Sequence, residues 1–534
     1  MRRRFLKRLG RALPAALLAA AVFGPLSSPG AQAAEKVVRM IPGGDLKILD
    51  PIQNPSYITR NHGYMIYDTL FSQDSNGEIR PQMVDTHSVS PDGLKYTFTL
   101  REGLKWHDGA PVTAADCVAS IRRWGARDVS GRLLMAATAS LDVVDERTFT
   151  LTLKEPFGLV LESLGKPSSN VPFMMPERIA KTDPTQQITD TTGSGPFIFK
   201  KDEWVPGNKV VYVKNPNYVP RSEPADGLAG GKVVKVDRVE WIYIPDQNTA
   251  LAAFNNGEVD IFELPQADFI ALLEKSPNVK LAADPLGSQG WLRPNHLHPP
   301  FDNPKARQAL VHMVNQEEYL AAAGFPEKYR LKSCAAYFMC GAPWATDAGG
   351  DAVLAGQNLE KAKQLMKEAG YNGEKIVVLT PSDPPVQAAA AMVTVQNLKK
   401  MGLNVEAQAM DWSTLLSRRA VKETPDKGGW HIFHTYSVGF DVVSPVVNAY
   451  IQGSCDAAPS GWPCDAELEK LRMDWARETD AARRMQITEA IQKRAYEFVP
   501  YVNFGQFFQP MAYRSDLDGL LAVGIPVMWN VEKK

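Results

Sequence analysis

The stretch between residues 358 and 410 constrains the fold most, because its helix and strand signals alternate at spacings that few topologies satisfy. Asn358 caps a helix whose apolar positions Leu359, Ala362, Leu365, Met366 and Ala369 share one face, and Gly370 stops it. Lys375 to Thr380 is a short apolar strand. Pro384 opens a second helix that runs to Met401, with Gly402 as its C-terminal stop. Leu403, Val405, Ala407 and Ala409 then alternate as a half-buried strand. Strand, helix and strand of this length imply a parallel pair joined by a crossover, the unit of an α/β fold.

Residues 94 to 155 carry a different pattern. Tyr96-Thr97-Phe98-Thr99-Leu100 and Thr148-Phe149-Thr150-Leu151-Thr152-Leu153 both alternate, as antiparallel strands do. Between them Thr113 caps a helix running through Ile121 to Trp124. This stretch reads as a smaller α+β lobe. Asp465 to Phe498 is helical, with a break near Thr479-Asp480. A chain of 534 residues is too long for one core and long enough for two or three lobes. No low-complexity linker separates them, so the chain is expected to cross between lobes more than once.

The first residues read as an export signal. Arg2, Arg3, Arg4, Phe5, Leu6 and Lys7 resemble a twin-arginine motif, and Ala12 to Phe23 is apolar. Gly24-Pro25 and the A-x-A site Ala31-Gln32-Ala33 follow. The apolar stretch is short for a bilayer span. Cleavage is expected after Ala33, on the twin-arginine or the Sec route. No cysteine precedes Cys117, so a lipid anchor is not expected and the mature chain is placed free in the periplasm. Six basic residues and no acids lie in residues 1–33; the remainder therefore holds seven more acids than bases. That balance argues against nucleic acid as a partner, whose phosphates need a basic surface.

Five cysteines remain in the exported part. In an oxidising compartment the close pairs Cys334–Cys340 and Cys455–Cys464 are natural loop staples, which leaves Cys117 as a small core residue. Catalytic signatures are missing. Gly193-Ser194-Gly195 lacks the spacing of a nucleophile elbow, and Gly230-Gly231-Lys232 lacks the first Gly and the Ser/Thr of a phosphate loop. His296 with His298 and His431 with His434 have no carboxylate or cysteine at ligand spacing, so satisfied core or surface histidines are expected, with no metal and no cofactor.

Several motifs, in order, carry a family resemblance. They are Leu49-Asp50-Pro51; Tyr67-Asp68-Thr69-Leu70-Phe71; Leu100 to Gly109, reading L-R-E-G-L-K-W-H-D-G; Pro111 to Asp116; Gly193-Ser194-Gly195-Pro196-Phe197; Asn215-Pro216-Asn217-Tyr218; and Ala306 to Leu310. Together they resemble the bacterial extracellular solute-binding proteins of family 5, the dipeptide, oligopeptide and nickel group of ABC importers. Trp106, His107 and Asp108 are expected to be scaffolding. The resemblance implies a bilobal periplasmic-binding-protein trap with an additional small α+β domain, a three-domain arrangement of the type II kind. One lobe would combine residues 34–71, 193–284 and 498–534, with 72–192 as the small domain and 285–497 as the second lobe. Crossings near 284 and 498 would form the hinge, and closure would bury the solute.

The resemblance also implies where solute touches. Asp441, within Asp441-Val442-Val443-Ser444-Pro445, stands where the peptide-binding branch holds an ammonium, although Ser444 replaces an acid and the valines differ. The other reading is an Asp satisfied by local donors. Trp430, Tyr436 and Phe440 are aromatic candidates for the lining. Trp291, Arg293 and Asn295 lie just past the first crossing; Arg293 would meet a ligand carboxylate, or else form a surface or interlobe ion pair. Asn54, Pro55, Ser56 and Tyr57 occupy a loop that faces ligand in the family. The expected activity is binding, not catalysis: capture of a peptide-like solute by a monomer and its delivery to the permease of an ABC importer. A nickel chelate, opine or sugar as solute, docking to a chemoreceptor, and a hydrolase or peptidase on the same scaffold are the alternatives.

Overall fold

The computed structural model describes residues 35–168 and 170–534. The expected export signal, with cleavage expected after Ala33, lies outside the described residues. Three large sheets organise the rest. In the first, seven strands run in the order Val279–Ala283, Pro510–Arg514, Ile261–Phe262, Val37–Ile41, Arg238–Ile242, Lys209–Lys214 and Phe197–Phe199. Val37–Ile41 is central and parallel to both neighbours.

The second sheet has five strands, in the order Val405–Met410, Ile376–Pro381, Ile432–Val438, Ser288–Pro294 and Val502–Phe507. Its first pair is the anticipated βαβ unit: the two strands are parallel and the helix Pro385–Lys400 makes the crossover. Ile376–Pro381 is buried along its whole length because it has strands on both sides, whereas the edge strand Val405–Met410 keeps one exposed row. Asn358 caps Leu359–Glu368, which buries Ala362, Leu365 and Met366 as its inner face.

The third sheet is antiparallel, in the order Val84–Val89, Lys95–Leu100, Thr148–Leu153 and Thr138–Val143. The two alternating segments pair directly, with Phe98 opposite Phe149. Thr113 and Asp116 form a reciprocal capping box at the start of Ala114–Gly125. The C-terminal helical stretch divides into Ala466–Arg477 and Ala481–Phe498, capped by Asp465 and Asp480.

The chain leaves the first sheet after Ala283 and enters the second at Ser288. It returns between Phe507 and Pro510, and not at the expected residue 498. The end of the long helix is not the end of that part of the chain, because Val502–Phe507 pairs with Ser288–Pro294 and completes the edge of the second sheet.

The sequence motifs form buried joints. Asp50 is ion-paired with Arg123 at 2.7 Å, both side chains fully enclosed. Lys232 and Tyr218 both donate to Asp68, so the Gly230-Gly231-Lys232 stretch and the Asn215–Tyr218 motif meet at one carboxylate. His107 accepts from the Gly193 amide through Nδ1 and donates its own amide to the Gly193 carbonyl. A Cβ at Gly193 would lie 1.8 Å from the Ile66 carbonyl oxygen, so no other residue fits that crossing. Arg307 donates to the carbonyls of Phe498, Phe301 and Asp302. Cys334 is bonded to Cys340 and Cys455 to Cys464; Cys117 is free and buried, and burial pushes its thiol pKa up.

Candidate solute cavity

A cavity of about 400 Å³ draws its walls from all three sheet-bearing parts. Ile79, Ser130, Ser163 and Lys166 come from the part built on the antiparallel sheet. Leu228, Asp284, Ala522 and Val523 come from the part with the seven-stranded sheet or its exit. Trp344, Phe440, Val443, Ser444, Val446, Val447 and Trp475 come from the part with the five-stranded sheet. Trp344 and Trp475 pack edge to face at 5.1 Å. No histidine lines this space, and no group of three His, Cys, Asp or Glu among the described residues has metal-holding geometry. A second cavity of about 70 Å³ shares Asp284, Ala522 and Val523 with the first and adds Glu263.

A polar cluster stands beside these cavities. Asp441 closes a short 3₁₀ turn, Gly439–Asp441, at the end of Ile432–Val438. Its Oδ2 accepts from the Tyr57 hydroxyl at 2.8 Å, and that hydroxyl also accepts from the Val438 amide at 3.2 Å. Oδ1 of Asp441 is buried without a hydrogen-bond partner among the described residues. Arg60, one turn along the same helix as Tyr57, lies 4.7 Å over the Tyr57 ring and donates to Ser168 and to Asn61. Burial raises the Asp441 carboxyl above its ordinary value, with Arg60 and Lys166 pulling the other way. Burial likewise raises Glu263, which accepts from Gly43 and Asn61, and lifts Asp284 to about 6. Three carboxylates thus feel one buried guanidinium and are destabilised as anions by their surroundings.

The residues singled out in the sequence separate into two groups. Asp441, Phe440 and Tyr57 come together, with Phe440 in the cavity wall. Asn54 and Ser56 lie nearer solvent: the Asn54 side chain accepts from the Ser56 amide, and Ser56 bonds Thr59. Tyr436 packs on Phe507 at 5.4 Å and lines neither cavity. Trp430 and Trp291 are core residues; Trp430 donates to the Arg419 carbonyl, and Trp291 packs against Tyr450 and Tyr501. Asn295 bonds the Trp430 carbonyl and the Leu297 amide.

Arg293 corrects both sequence expectations, a ligand carboxylate and a surface or interlobe ion pair. It is fully buried and donates to the carbonyls of Ser460, Tyr450, Pro500 and Pro459. With those donors committed to main chain, it holds loops together. The clustered histidines are committed too: His431 accepts from Val377 and bonds Pro299, and His434 bonds Thr394. Sequence reasoning did not single out Arg60, Glu263, Ser130, Ser163, Lys166, Trp344 or Trp475. Only Asp284 had a signal, its place at the expected crossing.

Comparison with known proteins agrees with this architecture. Residues 78–458 match the family described as bacterial extracellular solute-binding proteins, family 5 middle. The chain is 42% identical, over 99% of both sequences, to a probable peptide ABC transporter periplasmic-binding protein of Sinorhizobium fredii. Among solved structures it is similar to a periplasmic binding protein from A. tumefacien R10 in complex with agropinic acid, with a TM-score of 0.77, 24% identity and coverage of 93% of this chain and 99% of the other. It is also similar to an ABC transporter-associated periplasmic binding protein from Helicobacter pylori in complex with the peptide STSA, with a TM-score of 0.76, 22% identity and coverage of 93% and 98%.

Proposed function

This chain belongs to the bacterial extracellular solute-binding proteins, family 5, and on that premise we propose that it captures a peptide or peptide-like solute and hands it to the permease of an ABC importer. The observation that carries this reading is the cavity of about 400 Å³ walled by all three parts of the chain. A solute held there touches every part at once, so its binding energy favours the closed arrangement over any other. The lining offers apolar enclosure and fixed polar groups, which suits the capture of a solute. The working place is the periplasm, reached by removal of residues 1–33 without lipidation. The hinge is assigned to the two crossings, 284–287 and 508–509, where few residues join the sheets.

Within this site Asp441 is assigned to the ammonium of the solute. Its Oδ1, without a hydrogen-bond partner among the described residues, leaves acceptor capacity that a cation would use. The test is titration calorimetry with a library of di- and tripeptides, alongside small-angle scattering. Micromolar or tighter binding with a decrease in radius of gyration is expected. Val446→Trp, which fills the cavity wall, should abolish binding while the melting curve stays cooperative. Peptide binding that survives Val446→Trp undiminished, or binding with no compaction, overturns the reading.

A further inference from the structure

The smaller cavity has a property that the larger one does not share. Glu263 and Asp284 both line it, in company with Leu264, Val438, Met511 and Val523. Glu263 accepts from the Gly43 amide and the Asn61 amide group, and Asp284 accepts from the Leu286 amide at 3.0 Å. Among the described residues no Lys, Arg or His nitrogen lies within salt-bridge distance of either carboxylate, although many other acids of the chain are paired. The cations of the larger cavity are engaged elsewhere: Lys166 pairs with Asp128 and Arg484 reaches Glu162. Arg60 acts on both carboxylates at a distance but bonds Ser168 and Asn61. Two carboxylates facing one small, largely apolar space without a counter-charge are costly unless a cation enters.

Further polar groups point to a ligand in the larger cavity, which shares Asp284, Ala522 and Val523 with the smaller one. Ser130 and Ser163, only 3% and 2% exposed, line the larger cavity, and neither hydroxyl has a hydrogen-bond partner among the described residues. Buried hydroxyls are rarely left unbonded in a folded protein. Trp344, Val443, Val446 and Val447 line the larger cavity as well.

We infer that the cavity between Glu263 and Asp284 is a cation subsite, and that the solute is amphipathic: a basic group at these acids, an apolar body along the valines and Trp344, and a hydrogen-bonding group at Ser130 and Ser163. The inference rests on the reading that solute binds between the three parts of the chain. It deepens that reading by naming a charge class: the solute carries a basic group besides any ammonium held by Asp441.

The test compares two tripeptides of similar size, Ala-Lys-Leu and Ala-Gln-Leu, by calorimetry on the wild-type protein, on Asp284→Asn and on Glu263→Gln. The wild type should bind the lysine peptide at least tenfold more tightly. Each variant should shrink that ratio toward one, weakening the lysine peptide more than the glutamine peptide. Equal affinities in the wild type, or a ratio that survives in both variants, overturns the subsite. 1,5-Diaminopentane is titrated in parallel, with 5-aminopentanol as its singly charged control. If neither peptide binds but the diamine binds more tightly than the amino alcohol and loses that advantage in Asp284→Asn, the cation subsite stands and the peptide reading falls. If no probe shows charge dependence, the subsite is refuted whatever becomes of peptide binding.

Discussion

Replacing Asp441 by asparagine separates a ligand-binding carboxylate from a structural one. In the structure this carboxylate accepts from the Tyr57 hydroxyl at 2.8 Å, the Ser168 side chain also favours its charged form, and its Oδ1 has no hydrogen-bond partner among the described residues. Asparagine keeps the shape and still offers an oxygen to the Tyr57 hydroxyl, so the helix–turn contact survives. Because burial holds the carboxyl pKa up, ionisation works against the folded state. The sign follows from linkage: a raised folded-state pKa contributes stability that is complete below the unfolded value and lost as pH rises through the folded one. At pH 7 the asparagine variant should therefore melt at the same temperature as the parent or higher. Binding should move the other way. One charge-assisted bond to a solute ammonium is worth about 1.5–3 kcal/mol, so affinity for a peptide with a free N-terminus should fall roughly 10- to 150-fold. Differential scanning calorimetry and titration of the same preparation read both quantities. A lowered melting temperature with unchanged affinity would refute the reasoning and leave Asp441 as a brace for Tyr57.

Three further outcomes follow from particular contacts. Asp284, lifted to about 6, should make the ligand-free protein lose stability as pH rises from near 3.8 through 6, relative to Asp284→Asn; coincident pH profiles of melting temperature for the two proteins would contradict the assigned burial. Gly193→Ala, whose Cβ would sit 1.8 Å from the Ile66 carbonyl, should destabilise by about 3 kcal/mol or prevent folding, and a denaturant midpoint within error of the parent's would show that the crossing is looser than described. Each disulfide should stabilise by about 2–3 kcal/mol on loop closure. Cys340 lines the cavity, so Cys334→Ser/Cys340→Ser should also weaken solute binding, whereas Cys455→Ser/Cys464→Ser should not. Non-reducing peptide mapping checks the pairing, and free thiols at these positions would exclude it.

The fold was legible where local pattern and long-range packing ask for the same thing. Asn358, Thr113, Asp465 and Asp480 all cap helices, because a short polar side chain ahead of an apolar face has few better uses. The parallel pair at 376–381 and 405–410 could be foreseen because a strand–helix–strand of that length closes in essentially one way. The return crossing was misplaced for a related reason. Helix termini announce themselves, but a strand such as Val502–Phe507 is assigned to a sheet by its neighbours, and nothing within Val-Asn-Phe-Gly-Gln-Phe says which sheet that is.

The cavity was harder to read for the same physical reason, acting over longer distances. Asp441 and Tyr57 meet across 384 residues of chain, and periodicity reports which face of an element is buried without saying what it is buried against. Arg293 shows the consequence. A cation in a strand beside an expected hinge suggests a ligand carboxylate, yet here four carbonyls from three stretches of chain converge on it, a partnership that carries no signature because every residue has a carbonyl. Val443 shows the converse. Unlike the peptide binders in sequence, it nevertheless lines the cavity together with Val446 and Val447. Sequence thus singles out Asp441 by resemblance to a motif, whereas Asp284 and Glu263 draw notice only when the chain is folded and two acids line one small space with no salt-bridge partner among the described residues.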